Sequence, residues 1–180
     1  MSIPVDVAQI LRERGAVIDV DGTKALYAPL LAGQSRAGVT CTVDLSYGND
    51  IRHRLDVYQP DSATTALRPV LVFVHGGGFI RGDKSERTNV GYALAHEGFI
   101  AVVPNYRLGP AHHWPAGAQD VTSVLQWVVK HAGRVGGDAG KVLLVGESAG
   151  AAHVAASTLI RRLRPTQPAA PAAVVLISGT

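Results

Sequence analysis

A serine between two glycines is the clearest chemical feature of this chain. It stands in the sequence Gly-Glu-Ser-Ala-Gly at residues 146–150, after an apolar run at 142–145 and before an alanine-rich stretch at 151–163. This order predicts a strand, a sharp turn and a helix, with the turn presenting the Ser148 hydroxyl as a nucleophile. Both glycines are expected because a side chain there would clash with neighbouring backbone. Alone the pattern is weak, since an ordinary strand-to-helix loop also fits it.

A second motif upstream strengthens this interpretation. The apolar run at residues 70–74 leads directly into His-Gly-Gly-Gly-Phe at residues 75–79. The pattern indicates a buried strand that ends in a loop able to direct backbone N–H groups at a developing oxyanion. A serine turn preceded by such a donor loop is a specific combination, and it predicts a serine-hydrolase scaffold.

The composition excludes several other classes of protein. The 180 residues are 47% hydrophobic and 17% charged, which fits one domain with a real core and argues against disorder. The net charge is only +3. The tight basic cluster of Arg161, Arg162 and Arg164 lies near the end of a predicted helix, where cations suit the helix dipole. No nucleic-acid partner is therefore expected.

The cysteine count and the N-terminus bear on the compartment. Cys41 is the single cysteine, which excludes an internal disulfide and fits a reducing environment. The first twenty residues carry several charges and no apolar core of a secretory signal, and no apolar run approaches membrane-spanning length. These features predict a soluble cytoplasmic protein without a membrane partner.

Two hydrophobic periodicities predict the elements around the motifs. Residues 39–47 and 51–57 alternate apolar and polar side chains around a turn at 48–50, which predicts an antiparallel hairpin of half-buried strands. Continuous apolar runs predict strands buried on both faces of a parallel sheet. These runs are residues 70–74, 99–103, 142–145 and 173–177.

Helical patterns separate these strands. Val121, Val124, Leu125, Val128 and Ala132 follow helical spacing after Pro115, and a shorter helix at residues 90–97 is ended by Gly98. We therefore predict an α/β fold with a mostly parallel sheet, an antiparallel N-terminal hairpin at one edge, and flanking helices.

The N-terminal segment differs in character from the rest. We predict a helix at residues 6–14, stopped by Gly15, and a second around residues 26–31 that Pro29 would break or restart. Residues 1–38 are predicted to form a cap-like helical segment and residues 39–180 the α/β domain. Within that domain, residues 63–68 are expected to form a solvent loop, and the Pro/Ala-rich residues 165–171 a connector.

As a set, the motifs resemble those of a known family. The motif residues are 75–79, Gly-Asp-Lys at 82–84, Asn-Tyr-Arg-Leu at 105–108, Trp-Pro-Ala at 114–116 with Asp120, and 146–150. Their order resembles α/β-hydrolases of the hormone-sensitive-lipase-like esterase group. Leu-Asp-Val-Tyr at 55–58 and the motif at 82–84 are also similar to bacterial feruloyl/acetyl-ester esterases. The resemblance covers about residues 40–180, and it implies a carboxylic ester hydrolase that acts on small acyl esters without a cofactor.

The resemblance also implies roles for individual residues. Ser148 would be the nucleophile, and the N–H groups of Gly77, Gly78 and Ala149 would form the oxyanion hole. Gly76 would permit the tight turn, and His75 would brace the glycine loop rather than act as a base.

Scaffold and metal-site interpretations remain for other motif residues. Residues 105–107 and Asp120 are expected to lock loops by hydrogen bonds. The pair His112 and His113 could suggest a metal site, but no carboxylate or thiol is spaced with it, so we expect solvent-facing residues and no metal.

The catalytic acid and base are the gap in this interpretation. After Ser148 the chain has no Asp or Glu, and its only later histidine is His153. Five helical residues rotate a side chain by about 140° and raise it by about 7.5 Å, so His153 should not meet the serine. In the resembling family the acid and histidine lie beyond strands that would follow residues 173–177. We therefore expect a partial α/β-hydrolase domain, with its C-terminal third missing, that cannot complete the reaction alone.

Two further expectations follow from this gap. The alternative to an esterase is a non-catalytic small-molecule-binding protein or an inert truncated homologue, although the retained Ser148 favours the enzyme. The apolar strand at residues 173–177 would form an uncovered edge of the sheet, through which self-association is expected.

Overall fold

The computed structural model describes residues 3–17, 19–165 and 169–178. It divides into two compact units, Met1–Ser35 and Arg36–Thr180. None of its described helices is both long and apolar enough to cross a bilayer.

The first unit contains two helices, α1 (Val5–Arg14) and α2 (Val20–Ala32). Gly15 follows α1 with a φ of 69°, which confirms the predicted stop. Helix α2 begins at Asp19, whose side chain accepts the Gly22 N–H. Pro29 lies inside α2 and does not break it, so that expectation was wrong. The φ of a proline is helical, and α2 continues past Pro29 to Ala32 although one N–H donor is lost.

The second unit is built on one six-stranded sheet. Its strands are β1 (Val39–Ser46), β2 (Arg54–Pro60), β3 (Arg68–Val74), β4 (Ile100–Pro104), β5 (Gly137–Glu147) and β6 (Ala173–Ile177). Their order is β1-β2-β4-β3-β5-β6. The β3–β4, β3–β5 and β5–β6 pairs are parallel, whereas β1–β2 and β2–β4 are antiparallel. The predicted α/β fold, with an antiparallel hairpin at one edge of a mostly parallel sheet, is confirmed.

Helices connect the parallel strands. They are α3 (Thr88–His96), α4 (Ala116–His131) and α5 (Ala149–Leu159), with 3-10 turns at Lys84–Arg87, Ala132–Val135 and Arg161–Leu163. Helix α4 buries the predicted face, Val121, Val124, Leu125 and Val128. Helix α3 buries Gly91, Tyr92 and Ala95. At Gly91 the Tyr58 ring occupies the space that a side chain would need.

A β-bulge interrupts the alternation predicted for β1. Thr42 pairs with Val57 and Leu45 pairs with Leu55, so Val43 and Asp44 both face one residue of β2. Asp44 has a φ of 59°, and Val43 is 58% exposed instead of facing the core. The extra residue of a bulge shifts the strand's facing by one position, which strict period-two counting cannot anticipate.

Strand β6 forms an uncovered edge of the sheet, as expected. All five of its residues are exposed, although a continuous apolar run is also typical of a strand buried on both faces. Among the described residues β6 pairs with β5 alone and stands last in the strand order. Part of the predicted 165–171 connector, residues 166–168, lies outside the described residues, and so do residues 179–180.

Candidate active site

Ser148 occupies a strained turn between β5 and α5. Its backbone has φ 51° and ψ −119°, a conformation that costs a non-glycine residue of the order of 1–3 kcal/mol. The turn is held because the Ser148 N–H donates to the Ile177 carbonyl at 2.8 Å, while the Ser148 carbonyl accepts the Ala152 N–H at 3.2 Å. The predicted strand, sharp turn and helix are therefore present.

The two glycines of this turn are required by close backbone approach. A Cβ at Gly146 would lie 2.6 Å from the Ala151 Cα. A Cβ at Gly150 would lie 2.5 Å from the His75 carbonyl oxygen and closer still to that of Val74. Helix α5 therefore rests directly on the end of β3, where the glycine loop begins.

The glycine loop at residues 76–78 lies against the serine turn. Gly77 and Gly78 have φ values of 143° and 59°, so these two residues make the turn. A Cβ on Gly76 would lie 3.1 Å from the Ser148 Cβ and 3.1 Å from the Glu147 carbonyl oxygen. The turn role expected of Gly76 was therefore wrong. Gly76 instead allows the loop to come close to Ser148.

His75 orients the first peptide of this loop. Its Nδ1 lies 2.7 Å from the Gly76 carbonyl oxygen, and because a carbonyl only accepts, Nδ1 carries the proton. In a trans peptide the C=O and the following N–H point in opposite directions, so this bond turns the Gly77 N–H away from the imidazole.

The His75 ring is held as a structural brace. It is 1% exposed, stacks on Tyr106 with ring centroids 4.5 Å apart, and its carbonyl oxygen accepts the Tyr106 hydroxyl at 3.0 Å. Burial lowers the pKa of His75, which keeps the imidazole neutral. A buried, neutral ring bonded to the glycine loop fits the bracing role and not that of a catalytic base.

His153 packs among aromatic side chains and is not hydrogen-bonded to Ser148. It is 5% exposed and packs edge-on against Phe79 and Tyr106, with ring centroids 5.3 and 4.8 Å apart. Burial lowers the pKa of His153 to about 4. Within residues 3–17, 19–165 and 169–178, neither a histidine nor a carboxylate is hydrogen-bonded to the Ser148 hydroxyl. The described residues thus bring Ser148 together with the glycine loop and leave it without a base.

A bidentate ion pair fixes Glu147, the residue before Ser148. Arg87 Nε lies 2.8 Å from Glu147 Oε2, and Arg87 Nη2 lies 3.1 Å from Oε1. The Gly76 N–H also points at Glu147 Oε2, at the long distance of 3.5 Å. The pair ties the turn at Lys84–Arg87 to the serine turn. Sequence reasoning missed it, since no local pattern links two residues sixty positions apart.

A buried lysine links the same segment to the hairpin. Lys84 Nζ lies 2.7 Å from Asp56 Oδ1 and 2.9 Å from Asp44 Oδ1. Burial opposes the ammonium charge, but these two carboxylates outweigh it and raise the pKa of Lys84. Asp56, predicted on the polar side of a half-buried strand, is only 3% exposed. That prediction was wrong because consecutive residues of β2, which point to opposite faces of the sheet, are buried.

The motif at residues 105–107 and Asp120 forms the expected scaffold. Asn105 Oδ1 accepts the Lys84 N–H at 2.7 Å. Asp120 is 1% exposed. Its Oδ1 accepts a hydrogen bond from Arg107 Nη2 at 2.6 Å and lies 3.1 Å from His53 Nε2. The hydrogen bond from Arg107 to this carboxylate raises the pKa of Arg107, so the guanidinium stays charged. These bonds lock the loop after β4 to the start of α4.

The histidine pair has a carboxylate partner that sequence spacing did not reveal. His112 Nε2 lies 3.5 Å from Asp50 Oδ2 in the hairpin turn, whereas His113 is exposed. The absence of a partner near His112 in sequence was therefore misleading. Over the part of the chain that the structure describes, no group of three or more His, Cys, Asp or Glu side chains could hold a metal ion.

A groove lies beside the glycine loop, with a volume of about 390 Å³. Phe79, Ile80 and Trp114 form its exposed lip, with 45%, 64% and 57% of their surfaces accessible. The remaining lining residues are Arg107, Gly109, Pro110, His112, His113, Gly117 and His153. Such clusters of exposed apolar side chains beside a concave surface typically mark binding sites.

The comparisons with known proteins agree with this geometry. The family model described as BD-FAE matches residues 55–162. A probable isoprenylcysteine alpha-carbonyl methylesterase of Arabidopsis thaliana is 35% identical over 117 residues, a match that covers 65% of this chain and 24% of that protein. Esterase LipC of Mycobacterium tuberculosis is 34% identical over 108 residues, which is 58% of this chain and 26% of that protein.

Solved structures show the same fold. Esterase B from Lactobacillus rhamnosis is 23% identical with a TM-score of 0.75, over 98% of this chain and 59% of that one. The hyperthermophilic esterase from Pyrobaculum calidifontis is 27% identical with a TM-score of 0.64, over 90% of this chain and 55% of that one. The chain thus spans about a quarter of these curated relatives and less than two thirds of these solved chains.

Proposed function

Because this chain belongs to the BD-FAE family, among the hormone-sensitive-lipase-like carboxylesterases of the α/β-hydrolase fold, we propose that it carries the nucleophile and oxyanion hole of a carboxylic ester hydrolase. The proposed substrates are small acyl esters. The observation that carries the proposal is the contact between Gly76 and Ser148, where a Cβ on the glycine would lie 3.1 Å from the serine Cβ. This close approach supports the proposal, because acyl transfer needs backbone N–H donors near a serine on a strained turn.

In the proposed reaction the Ser148 Oγ attacks the ester carbonyl carbon. The carbonyl π-electrons move to oxygen, and the resulting oxyanion accepts hydrogen bonds from the N–H groups of Gly77, Gly78 and Ala149. Collapse of this intermediate breaks the bond to the alcohol and leaves an acyl-serine, which water then hydrolyses. The hydroxyl proton passes to a histidine and from there to the departing alcohol, and in the second step the same histidine moves a proton from water to the Ser148 Oγ. This histidine needs a supporting acid. We propose that residues beyond position 180 of a longer polypeptide supply both.

Two measurements test this proposal. Genomic DNA after codon 180 is expected to continue, in frame or after a frameshift, into a segment with an Asp or Glu followed by a His. The extended protein is expected to hydrolyse p-nitrophenyl acetate and butyrate, and Ser148→Ala to abolish that activity. Ser123→Ala, on the polar side of α4, is the matched control and should retain it. Full activity in Ser148→Ala would refute the nucleophile assignment.

The 180-residue chain by itself is expected to turn over esters only weakly. Oxyanion stabilisation alone can leave a rate above that in water when other members of a triad are absent. A phosphonate ester should label Ser148 slowly, since no base activates the hydroxyl. Rapid labelling, or turnover comparable to that of the extended protein, would show that a base lies within these residues. Tight binding of small esters without any hydrolysis by the extended protein would favour the alternative, a non-catalytic binding protein.

Two further proposals concern the two segments of the chain and the compartment in which the protein works. Residues 1–38 are proposed to act as a cap-like helical segment, and residues 39–180 as the partial α/β-hydrolase domain. We also propose that the protein works in the cytoplasm without a cofactor.

A further inference from the structure

The groove beside the glycine loop begins where an ester would be held. Phe79, one wall of the groove, directly follows the proposed oxyanion donors Gly77 and Gly78. Because the glycine loop also lies close to the serine turn, the groove wall at Phe79 stands next to the proposed position of a carbonyl at Ser148. The groove is therefore placed to hold one substituent of that carbonyl.

His153 is a rigid element of the groove. Its ring is wedged between Phe79 and Tyr106, with centroid distances of 5.3 and 4.8 Å. On the opposite side it lies against Gly117, where a Cβ would come 2.5 Å from the His153 Nε2. Since His153 is 5% exposed while the lip residues are more than 40% exposed, the imidazole lies at the inner end of the groove.

The charges around the groove favour a neutral occupant. Arg107 is neutralised by its 2.6 Å ion pair with Asp120, and His112 lies 3.5 Å from the Asp50 carboxylate. Burial lowers the pKa of His153 to about 4, so the inner end carries no charge at neutral pH. His113 is exposed to solvent. An uncharged apolar group fits these walls better than a carboxylate or an ammonium group.

We propose that this groove binds a neutral alkyl chain of the ester substrate, and that His153 forms its inner end and limits the length of chain that fits. This inference rests on the proposed esterase function, since it assigns one substituent of the same substrate. It makes His153 a specificity-determining residue and gives the exposed Phe79, Ile80 and Trp114 a role as the entrance.

The test measures binding rather than turnover. The probes are 2-pentanone, 2-hexanone, 2-heptanone and 2-octanone, which are neutral and have no ester bond to hydrolyse. Trp114 is the reporter of fluorescence in a Trp127→Phe background, because the chain has two tryptophans and Trp127 stacks on His131 outside the groove. Affinity is expected to rise about fourfold for each buried methylene until the chain reaches His153, and then to level off.

His153→Ala is expected to extend this rise by one or two methylenes, so that 2-octanone binds about fourfold to sixteenfold more tightly to the variant than to the parent protein. Ile80→Asp, at an exposed position that folding tolerates, should weaken ketone binding about tenfold, because it places a carboxylate at the lip. Leu67→Asp is the matched control in a loop away from the groove, and it should leave binding unchanged. The absence of saturable binding, or an equal effect of Ile80→Asp and Leu67→Asp, would overturn the groove assignment. An unchanged length limit in a folded His153→Ala protein would overturn the role of His153.

The outcome for the groove can be separated from the outcome for the esterase proposal. Ketone binding that persists in Ser148→Ala, together with an extended protein that hydrolyses no ester, would support the groove and refute the esterase. Hydrolysis that depends on Ser148, without ketone binding, would support the esterase and refute the groove.

Discussion

Gly150→Ala tests how closely helix α5 approaches the start of the glycine loop. The added Cβ would lie 2.5 Å from the His75 carbonyl oxygen and closer to that of Val74, whereas ordinary contacts begin at 3.4 Å. Both oxygens belong to backbone at the end of β3, so neither can rotate away as a flexible side chain would. Relief requires α5 to move by roughly 1 Å relative to the sheet, in an interior that is packed as densely as an organic crystal.

The loss of stability that this movement causes can be compared with that of substitutions that add a methyl group to a packed interior. Extra methyl groups in packed interiors destabilise proteins by about 1–3 kcal/mol, and the upper end applies where the obstacle is backbone. We therefore expect Gly150→Ala to lower the free energy of unfolding by about 3 kcal/mol. For a domain of this size that corresponds to a fall in Tm of roughly 6–12 °C.

The assay is thermal unfolding followed by circular dichroism, with Gly133→Ala as the matched control. A Cβ at Gly133 meets nothing within 4 Å, and that change should be neutral or stabilising by up to about 1 kcal/mol. A Gly150→Ala protein that melts within about 2 °C of Gly133→Ala would refute the close approach. The serine turn would then not depend on contact with the glycine loop.

Three further predictions concern charge and the sheet edge. Lys84→Met should lower the free energy of unfolding, measured in urea, by about 3 kcal/mol, because it leaves buried Asp56 without its cation. Since the folded state raises the pKa of Lys84, the stabilisation by this lysine in the wild type should be present at pH 7 and lost above about pH 10.5. The native state holds His153 neutral, with its pKa lowered to about 4, so the unfolded state binds an extra proton between pH 6.5 and pH 4. The free energy of unfolding should therefore fall by about 3 kcal/mol over that range, and His153→Leu should remove that part of the pH dependence of Tm. Strand β6 has a row of exposed apolar side chains at a sheet edge, so the wild-type chain should scatter light as an associated species. Val175→Lys should reduce that scattering, and a monomeric wild-type sample with a cooperative transition would contradict the prediction.

Much of the fold and the core of the candidate site could be predicted from short stretches of sequence. The strand, turn and helix around Ser148, the donor loop before it and the buried face of α4 all depend on residues within a few positions of one another. Each has a local physical cause, such as the φ values that Gly77 and Gly78 adopt. The fold prediction was correct for the same reason, since alternating strands and helices leave few ways to build a parallel sheet.

Predictions that failed share a dependence on spatial neighbours. Asp56 was placed on a polar face, yet β2 is buried on both sides, and Val43 was expected to face the core, yet a bulge leaves it exposed. Period-two and continuous apolar patterns report which side chains are apolar, but the order of strands in the sheet decides which faces are covered.

By itself, then, the sequence determined most of the strands and helices, the turn at Ser148 with the glycine loop before it, and the resemblance to a family of esterases. Only the tertiary structure decided that Gly76 lies against Ser148, that Arg87 pairs with Glu147, and that the His153 ring packs against Phe79 and Tyr106. The physical reason is range. Backbone conformation and helical periodicity are set by neighbours in sequence, whereas ion pairs and grooves form between residues that only the folded sheet brings within a few ångströms.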